Sequence, residues 1–392
     1  MNQLVKELKP FLHKGWENAG FDNPTPIQAK AIPFILQGKD LIAESPTGTG
    51  KTLAYLLPLL EAIDPQKQSV QAVILASSRE LVMQISEEIR IWAGDSGISG
   101  ASFIGGANVK RQLDKLKKRP QIIAGTPGRV FELIQQKKIK MHEVKTIVLD
   151  EGDQLLVPEH LNTIRNIIKT TLKDRQVLLF SATLPPKTEE IARELTVEPE
   201  MIRIGRDENI PSKVEHIYFL SEPREKIKIL EKLSRVNGMK GLAFANDIGE
   251  INVISEKLQF NGVDLGVLHG ETNKSEREAA LKNFRSGKFP LLLATDVAAR
   301  GLDIKGLSAV IHVNLPHNID QYVHRSGRTG RAGASGTVIS IVTERELREL
   351  KQFARELNVP VSEKTLYKGE ISDIRPQKTA PAKKKQCDKR SR

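Results

Sequence analysis

The chain alternates short, almost wholly apolar runs with longer stretches of helical periodicity, and that rhythm leaves few folds open. AVILA (72–76), QIIAG (121–125), TIVLD (146–150) and VLLFS (177–181) lack polar alternation, so they predict strands buried on both faces. Between them lie amphipathic stretches such as RELVMQISEEIRIWA (79–93). Strand–helix alternation of this kind requires right-handed crossovers and a mainly parallel sheet with helices on both faces. The rhythm pauses at RIGRDENIPSKVEH (203–216). It resumes with GLAFA (241–245), LGVLHG (265–270), PLLLATD (290–296), AVIHVN (309–314) and TVISIVT (337–343). The expectation is an α/β chain of two tandem domains, 1–205 and 214–360, joined by a linker over 206–213. Residues 361–392 read as a basic, disordered tail. A length of 392 residues fits two domains better than one.

The formal net charge is +12, and half of the excess falls in the last 33 residues. A basic balance of this size suits a polyanionic partner, although a merely soluble basic protein has the same balance. A single cysteine, Cys387, excludes an internal disulfide framework and fits a reducing compartment. The opening MNQLVKELKPFLHKGW carries charges where a signal peptide has an apolar run. No run approaches the roughly 18 apolar residues that span a bilayer. A cytoplasmic protein with no membrane contact is expected.

DLIA (40–43) runs into ESPTGTGKTLAY (44–55). A glycine-spaced turn between strand and helix lets backbone N–H groups close on phosphate oxygens, and the helix N-terminus adds its positive end. The pattern G-x-x-x-x-G-K-[ST] is met except at its first position, where Ser45 stands. Ser45, Pro46, Thr47, Gly48, Thr49 and Gly50 would form the cradle. Lys51 would reach the β- and γ-phosphates of ATP, and the Thr52 hydroxyl would sit on Mg²⁺. Taken alone, the segment also reads as an ordinary glycine-rich loop before a helix. TIVLD then delivers Asp150 and Glu151 at a strand end. Phosphoryl transfer needs one carboxylate for the metal, largely through its water, and a second to orient the attacking water. Asp150 suits the first role and Glu151 the second.

Upstream, Gln28 carries a planar amide able to pair two-fold with an adenine edge, and Phe21 offers a ring for the purine face. A helix start led by Pro26 is the other reading of that segment. YVHRSGRTGRAG (322–333) gathers cationic side chains in one glycine-spaced loop, suited to the charge on a transferring phosphoryl group. A basic surface loop is its alternative. Lys51, Thr52, Asp150 and Glu151 lie in one half and this loop in the other, so only closure of the two domains brings them together.

GFDNPTPIQ, SPTGTGKT, SSREL, GG at 105–106, TPGR, DEGD, SAT, ATDVAARGLD and HRSGRTGR occur in this order. Together, over about residues 11 to 345, they resemble the DEAD-box ATP-dependent RNA helicases, as a compact bacterial-type member with DEGD in place of DEAD. The resemblance implies two RecA-like domains, adenine selectivity through PTPIQ, and an RNA-stimulated ATPase. Such an enzyme unwinds short RNA duplexes or remodels ribonucleoprotein, as in ribosome assembly or mRNA turnover. The resemblance makes Arg328 and Arg331 arginine fingers. It places Gly301 and Asp303 at the nucleotide, with Asp303 on the ribose. It makes Asp153 the partner of Ser181 and Thr183, and gives His324 a coupling role. RNA-backbone contacts fall to Arg79, Gly106, Thr126, Gly128 and Arg129 in the first half, and to Arg277, Thr295 and Arg325 in the second. They would read phosphate and 2′-OH groups with little base specificity. A monomer acting on single strands, short duplexes or a ribosomal precursor is implied.

The departures are local. Ser77 and Ser78 stand where the family usually has Pro and Thr, and Lys274 stands where a Gln precedes Arg277 by three. Gly152 replaces an alanine. It removes a methyl and adds backbone freedom costing roughly 0.5–1 kcal/mol, but it deletes no donor, acceptor or charge. A working site is therefore expected. Two other readings remain. One is a weakly hydrolysing ATP-dependent RNA clamp serving as an assembly scaffold. The other is a DNA-directed helicase of the wider superfamily, against which PTPIQ argues. Turnover in the presence of RNA separates enzyme from clamp.

Overall fold

A computed structural model describes residues 3–106, 108–205, 214–299, 304, 306–330 and 335–373. The linker expected over 206–213 lies outside these residues. The first sheet contains β1 (Leu41–Glu44), β2 (Ala72–Ala76), β3 (Gly100–Phe103), β4 (Ile122–Gly125), β5 (Thr146–Asp150), β6 (Gln176–Ser181) and β7 (Glu200–Arg203). Their order is β3-β4-β2-β5-β6-β1-β7, and every pairing is parallel. Side chains alternate between the two faces: Ala72, Ile74 and Ala76 enter one apolar core, while Val73 and Leu75 enter the other. This two-sided burial is why the strands read as unbroken apolar runs.

The second sheet contains β8 (Val214–Leu220), β9 (Gly241–Phe244), β10 (Leu265–Leu268), β11 (Leu291–Ala294), β12 (Ala309–His312), β13 (Gly336–Val342), β14 (Val361–Tyr367) and β15 (Glu370–Asp373). Its order is β10-β11-β9-β12-β13-β8-β14-β15. The pairings are parallel except for β14 with β15, which is antiparallel. The expected tail is therefore too long. Residues 361–373 are ordered strands, because β14 pairs with the edge of β8 and Leu366 and Ile371 pack on the core beneath it. Its composition hid this, since the alternating VSEKTLY holds few apolar residues. The remaining 374–392 lie outside the described residues. β3 and β7 were also invisible as apolar runs, GASF and EMIR being held by their neighbours rather than by hydrophobicity.

Parallel order puts all strand C-termini of a sheet along one edge, the edge where α/β sheets bind ligands. In the first sheet the loops after β1, β5 and β6 therefore carry Ser45–Gly50, Glu151 and Ala182 side by side.

Candidate active site between the two sheets

The segment after β1 turns through Gly48 and Gly50, both at positive φ (78° and 90°), into the helix Lys51–Ala62. Ser45 has no such φ, so the missing glycine of the loop pattern is not needed there. Its hydroxyl is bonded to Thr49 Oγ1 at 2.7 Å. Lys51 Nζ donates to the Ser45 and Pro46 carbonyls at 2.6 and 2.9 Å, which holds the ammonium across the mouth of the loop. Asp150 is buried and accepts from the Tyr55 hydroxyl at 2.9 Å. Burial, with the neighbouring Glu151 carboxylate, pushes the Asp150 pKa up to about 6. Tyr55 sits one turn after Thr52, a helical spacing that could have flagged it.

Glu151 adopts a left-handed conformation (φ 57°, ψ 57°) at the start of the short helix Gly152–Leu155. Its Oε2 accepts from the Ser77 hydroxyl at 2.7 Å, and its Oε1 lies 4.0 Å from Arg328 Nη2 of the opposite half. Pairing across the halves continues at Asp153. Its Oδ2 meets His324 Nε2 at 2.5 Å, and its Oδ1 accepts from the Ser181 hydroxyl at 2.6 Å. Burial works to raise the Asp153 pKa, but the His324 and Ser181 hydrogen bonds outweigh it and hold it at about 2. Thr183 does not share this partner. Its buried Oγ1 has none among the described residues, while its carbonyl accepts from Ser181. Thr47 Oγ1 donates to the Gly327 carbonyl at 3.2 Å, which closes the phosphate loop against the second half.

Between the halves lies a cleft of about 1090 Å³, lined by Thr47, Lys51, Thr52, Asp150, Glu151 and Arg328. Phe21 stands at its rim, 44% exposed and stacked on Trp92 with centroids 6.3 Å apart. Gln28 lies beside the loop. It is 3% exposed, its Oε1 accepts from the Thr25 N–H and its Nε2 donates to the Gly50 carbonyl. The amide braces the loop from behind with one Nε2 hydrogen and one Oε1 lone pair. Gly301, Asp303 and Arg331 lie outside the described residues.

The RNA candidates divide. Arg79 and Gly106 adjoin: a Cβ on Gly106 (φ 72°) would lie 2.7 Å from Arg79 Nη2. Thr126 and Gly128 flank Pro127 at the N-terminus of the helix Pro127–Gln135, with Gly128 exposed and Arg129 paired to Glu132 at 3.1 Å. These positions share the edge that follows β2, β3 and β4. In the second half, Thr295 Oγ1 caps the short helix Asp296–Ala299. Arg277 is engaged with Glu80 at 3.0 Å and with the Ala298 carbonyl, so it clips the SSREL segment to the second half. Arg325 is no surface contact. It is 1% exposed, bonds both oxygens of Asp296, the Asn314 carbonyl and Asn246, and lies 5.0 Å over the Phe244 ring. Sequence pattern missed Asp296, Glu80 and Ser77, because their partners are remote in the chain.

Family models describing the DEAD/DEAH box helicase and the helicase conserved C-terminal domain match residues 25–191 and 225–333. "Probable ATP-dependent RNA helicase YfmL" of Bacillus subtilis (strain 168) is 56% identical over 368 residues, covering 94% of this chain and 98% of that protein. The chain belongs to the DEAD-box helicase family. The DEAD-box ATP-dependent RNA helicase CshC of Bacillus cereus is 51% identical, with 97% of each chain covered. Among solved structures, S. cerevisiae Dbp5 bound to RNA and ADP BeF3 superposes with a TM-score of 0.83 at 29% identity, over 91% of this chain and 94% of that one. The two sheets with their helices are thus the paired RecA-like domains of a DEAD-box helicase. No described helix is long and apolar enough to cross a membrane.

Proposed function

We propose that this DEAD-box helicase is an RNA-stimulated ATPase that opens short RNA duplexes or remodels ribonucleoprotein by closing its two halves on ATP and RNA. The observation that carries the reading is the approach of Arg328 to Glu151 across a cleft that also contains Lys51 and Thr52. The loop from Ser45 to Gly50 binds phosphate through its backbone, and Lys51 exchanges its carbonyl partners for phosphate oxygens. Glu151 orients the attacking water, and Arg328 meets the charge on the transferring phosphoryl group.

The donor set fits Mg²⁺. Asp150 and Thr52 offer hard oxygen donors at the cleft. That is the pattern for a cation held by water and substrate phosphate. When bound, the ion neutralises phosphate charge. RNA is proposed to lie along the edge bearing Arg79, Gly106, Thr126 and Gly128, where a helix N-terminus and a guanidinium favour phosphate. Arg331 and Asp303 are proposed to complete the nucleotide site. A cytoplasmic monomer acting in ribosome assembly or mRNA turnover is the setting proposed, since both present short duplexes to a locally acting clamp.

Steady-state ATPase with and without single-stranded RNA, for the native protein beside Glu151→Gln, tests this. RNA stimulation that the substitution abolishes is the expected result. Equal, near-background rates for both would replace the enzyme by an RNA clamp.

A further inference from the structure

The two oxygens of Glu151 have different surroundings. Oε1 faces Arg328 in the cleft, and Oε2 is held by the Ser77 hydroxyl at 2.7 Å. Ser77 is the first residue after β2, and the register Ala76↔Asp150 sets it beside Glu151 on the sheet edge. This is a seam. In the order β3-β4-β2-β5-β6-β1, the loops on one side carry Gly106, Thr126 and Arg79, and those on the other carry the carboxylates and the phosphate loop. Ser77 also joins directly to Ser78, whose hydroxyl caps the helix Arg79–Ala93 by accepting from the Leu81 N–H at 3.1 Å. The same helix start bears Glu80, which is clipped to Arg277. A residue without a side-chain donor, such as the proline usual in this family, could not make the Ser77–Glu151 bond.

We propose that Ser77 is a positioning residue for Glu151, fixing Oε1 toward the attacking water and tying that orientation to the segment that grips RNA. The proposal rests on the ATPase reading given above. In the step it serves, the water oxygen bonds to the γ-phosphorus while the bond to the bridging oxygen breaks. The electron pair of that bond leaves with ADP, and the proton released by water passes to Oε1 and then to solvent. Ser77 keeps its own proton, which it donates to Oε2 throughout.

The test is ATPase kinetics with single-stranded RNA and ATP titrated separately, for native protein, Ser77→Ala, Ser77→Thr and Glu151→Gln. Ser77→Ala should lower RNA-stimulated kcat about tenfold. KM for ATP and the RNA concentration for half-stimulation should stay within about twofold of native. Ser77→Thr, which restores the hydroxyl, should recover kcat. Native kcat in Ser77→Ala overturns the proposal, as does a loss of ATP or RNA affinity equal to the loss of kcat. If Ser77→Ala fails to fold, as read by thermal melting, Ser77→Cys keeps the volume with a weak donor and takes its place. A native protein without RNA-stimulated turnover, or an active Glu151→Gln, removes the underlying reading as well. An inactive Glu151→Gln beside a fully active Ser77→Ala removes the positioning role alone.

Discussion

At Gly152 an added Cβ would lie 2.8 Å from both Cγ and Cδ2 of Leu179, a residue with no exposure. The space that the family's usual alanine methyl would occupy is filled here by a neighbouring strand. The expectation of lost packing is thereby corrected: the glycine complements Leu179. Gly152→Ala should cost about 1 kcal/mol by overpacking, read in a denaturant midpoint, and Leu179→Val in the same chain should recover most of it. Arg325 is held just as closely. Its guanidinium is fully enclosed and shared among Asp296, Asn246 and Asn314. Removing it strands the Asp296 charge, so Arg325→Ala should lose about 3 kcal/mol of stability. A surface RNA contact would instead lose RNA affinity at unchanged stability, and urea unfolding beside RNA titration tells the two apart.

At the scale of elements, β12 ends in His312, which is buried with its Nδ1 against Ser340 at 3.2 Å and its ring edge-on to Tyr322. Burial, then the Arg325 and His216 charges, drive its pKa well below the ordinary 6.5. Folding therefore keeps this ring neutral, while the unfolded chain takes up a proton below pH 6.5. In that window the unfolded state binds more protons, so stability falls as pH falls, by up to about 1.4 kcal/mol per pH unit. The slope of unfolding free energy between pH 7 and 5 should flatten in His312→Gln. Elements also show where sequence reading stops. β2, β5, β6, β9, β11, β12 and β13 were legible because both faces are buried and the runs are apolar. β14 was not, because an edge strand needs only one apolar row and a partner, and its partner β8 lies more than a hundred residues away.

For the whole molecule, the proposed function depends on the approach of the halves. Among the described glycines Gly327 leaves the least room, since an added Cβ would sit 1.5 Å from Thr47 Oγ1. Gly327→Ala should leave thermal unfolding near native, since the severe clash is with Thr47 of the other half and the Val323 carbonyl of its own half lies at 3.2 Å. It should cut RNA-stimulated ATPase by about a hundredfold or more through misplacement of Arg328. Native turnover in this variant would mean that hydrolysis does not need the closed arrangement. Asp153 and His324 reinforce the same junction, and the depressed pKa of Asp153 keeps its charge in place for that pairing.

Much of this protein follows from local chemistry. Apolar runs specify the central strands, glycine spacing specifies the turn into the helix Lys51–Ala62, and the order of motifs specifies the family. These are legible because each depends on residues close together in the chain. What each polar side chain meets is set by packing between remote segments. Gln28 turns to Gly50, Arg325 to Asp296, Arg277 to Glu80 and Ser77 to Glu151. The reason is physical: a buried hydrogen-bonding group takes whichever partner packing places within about 3 Å, and that placement is a property of register and closure rather than of spacing along the chain.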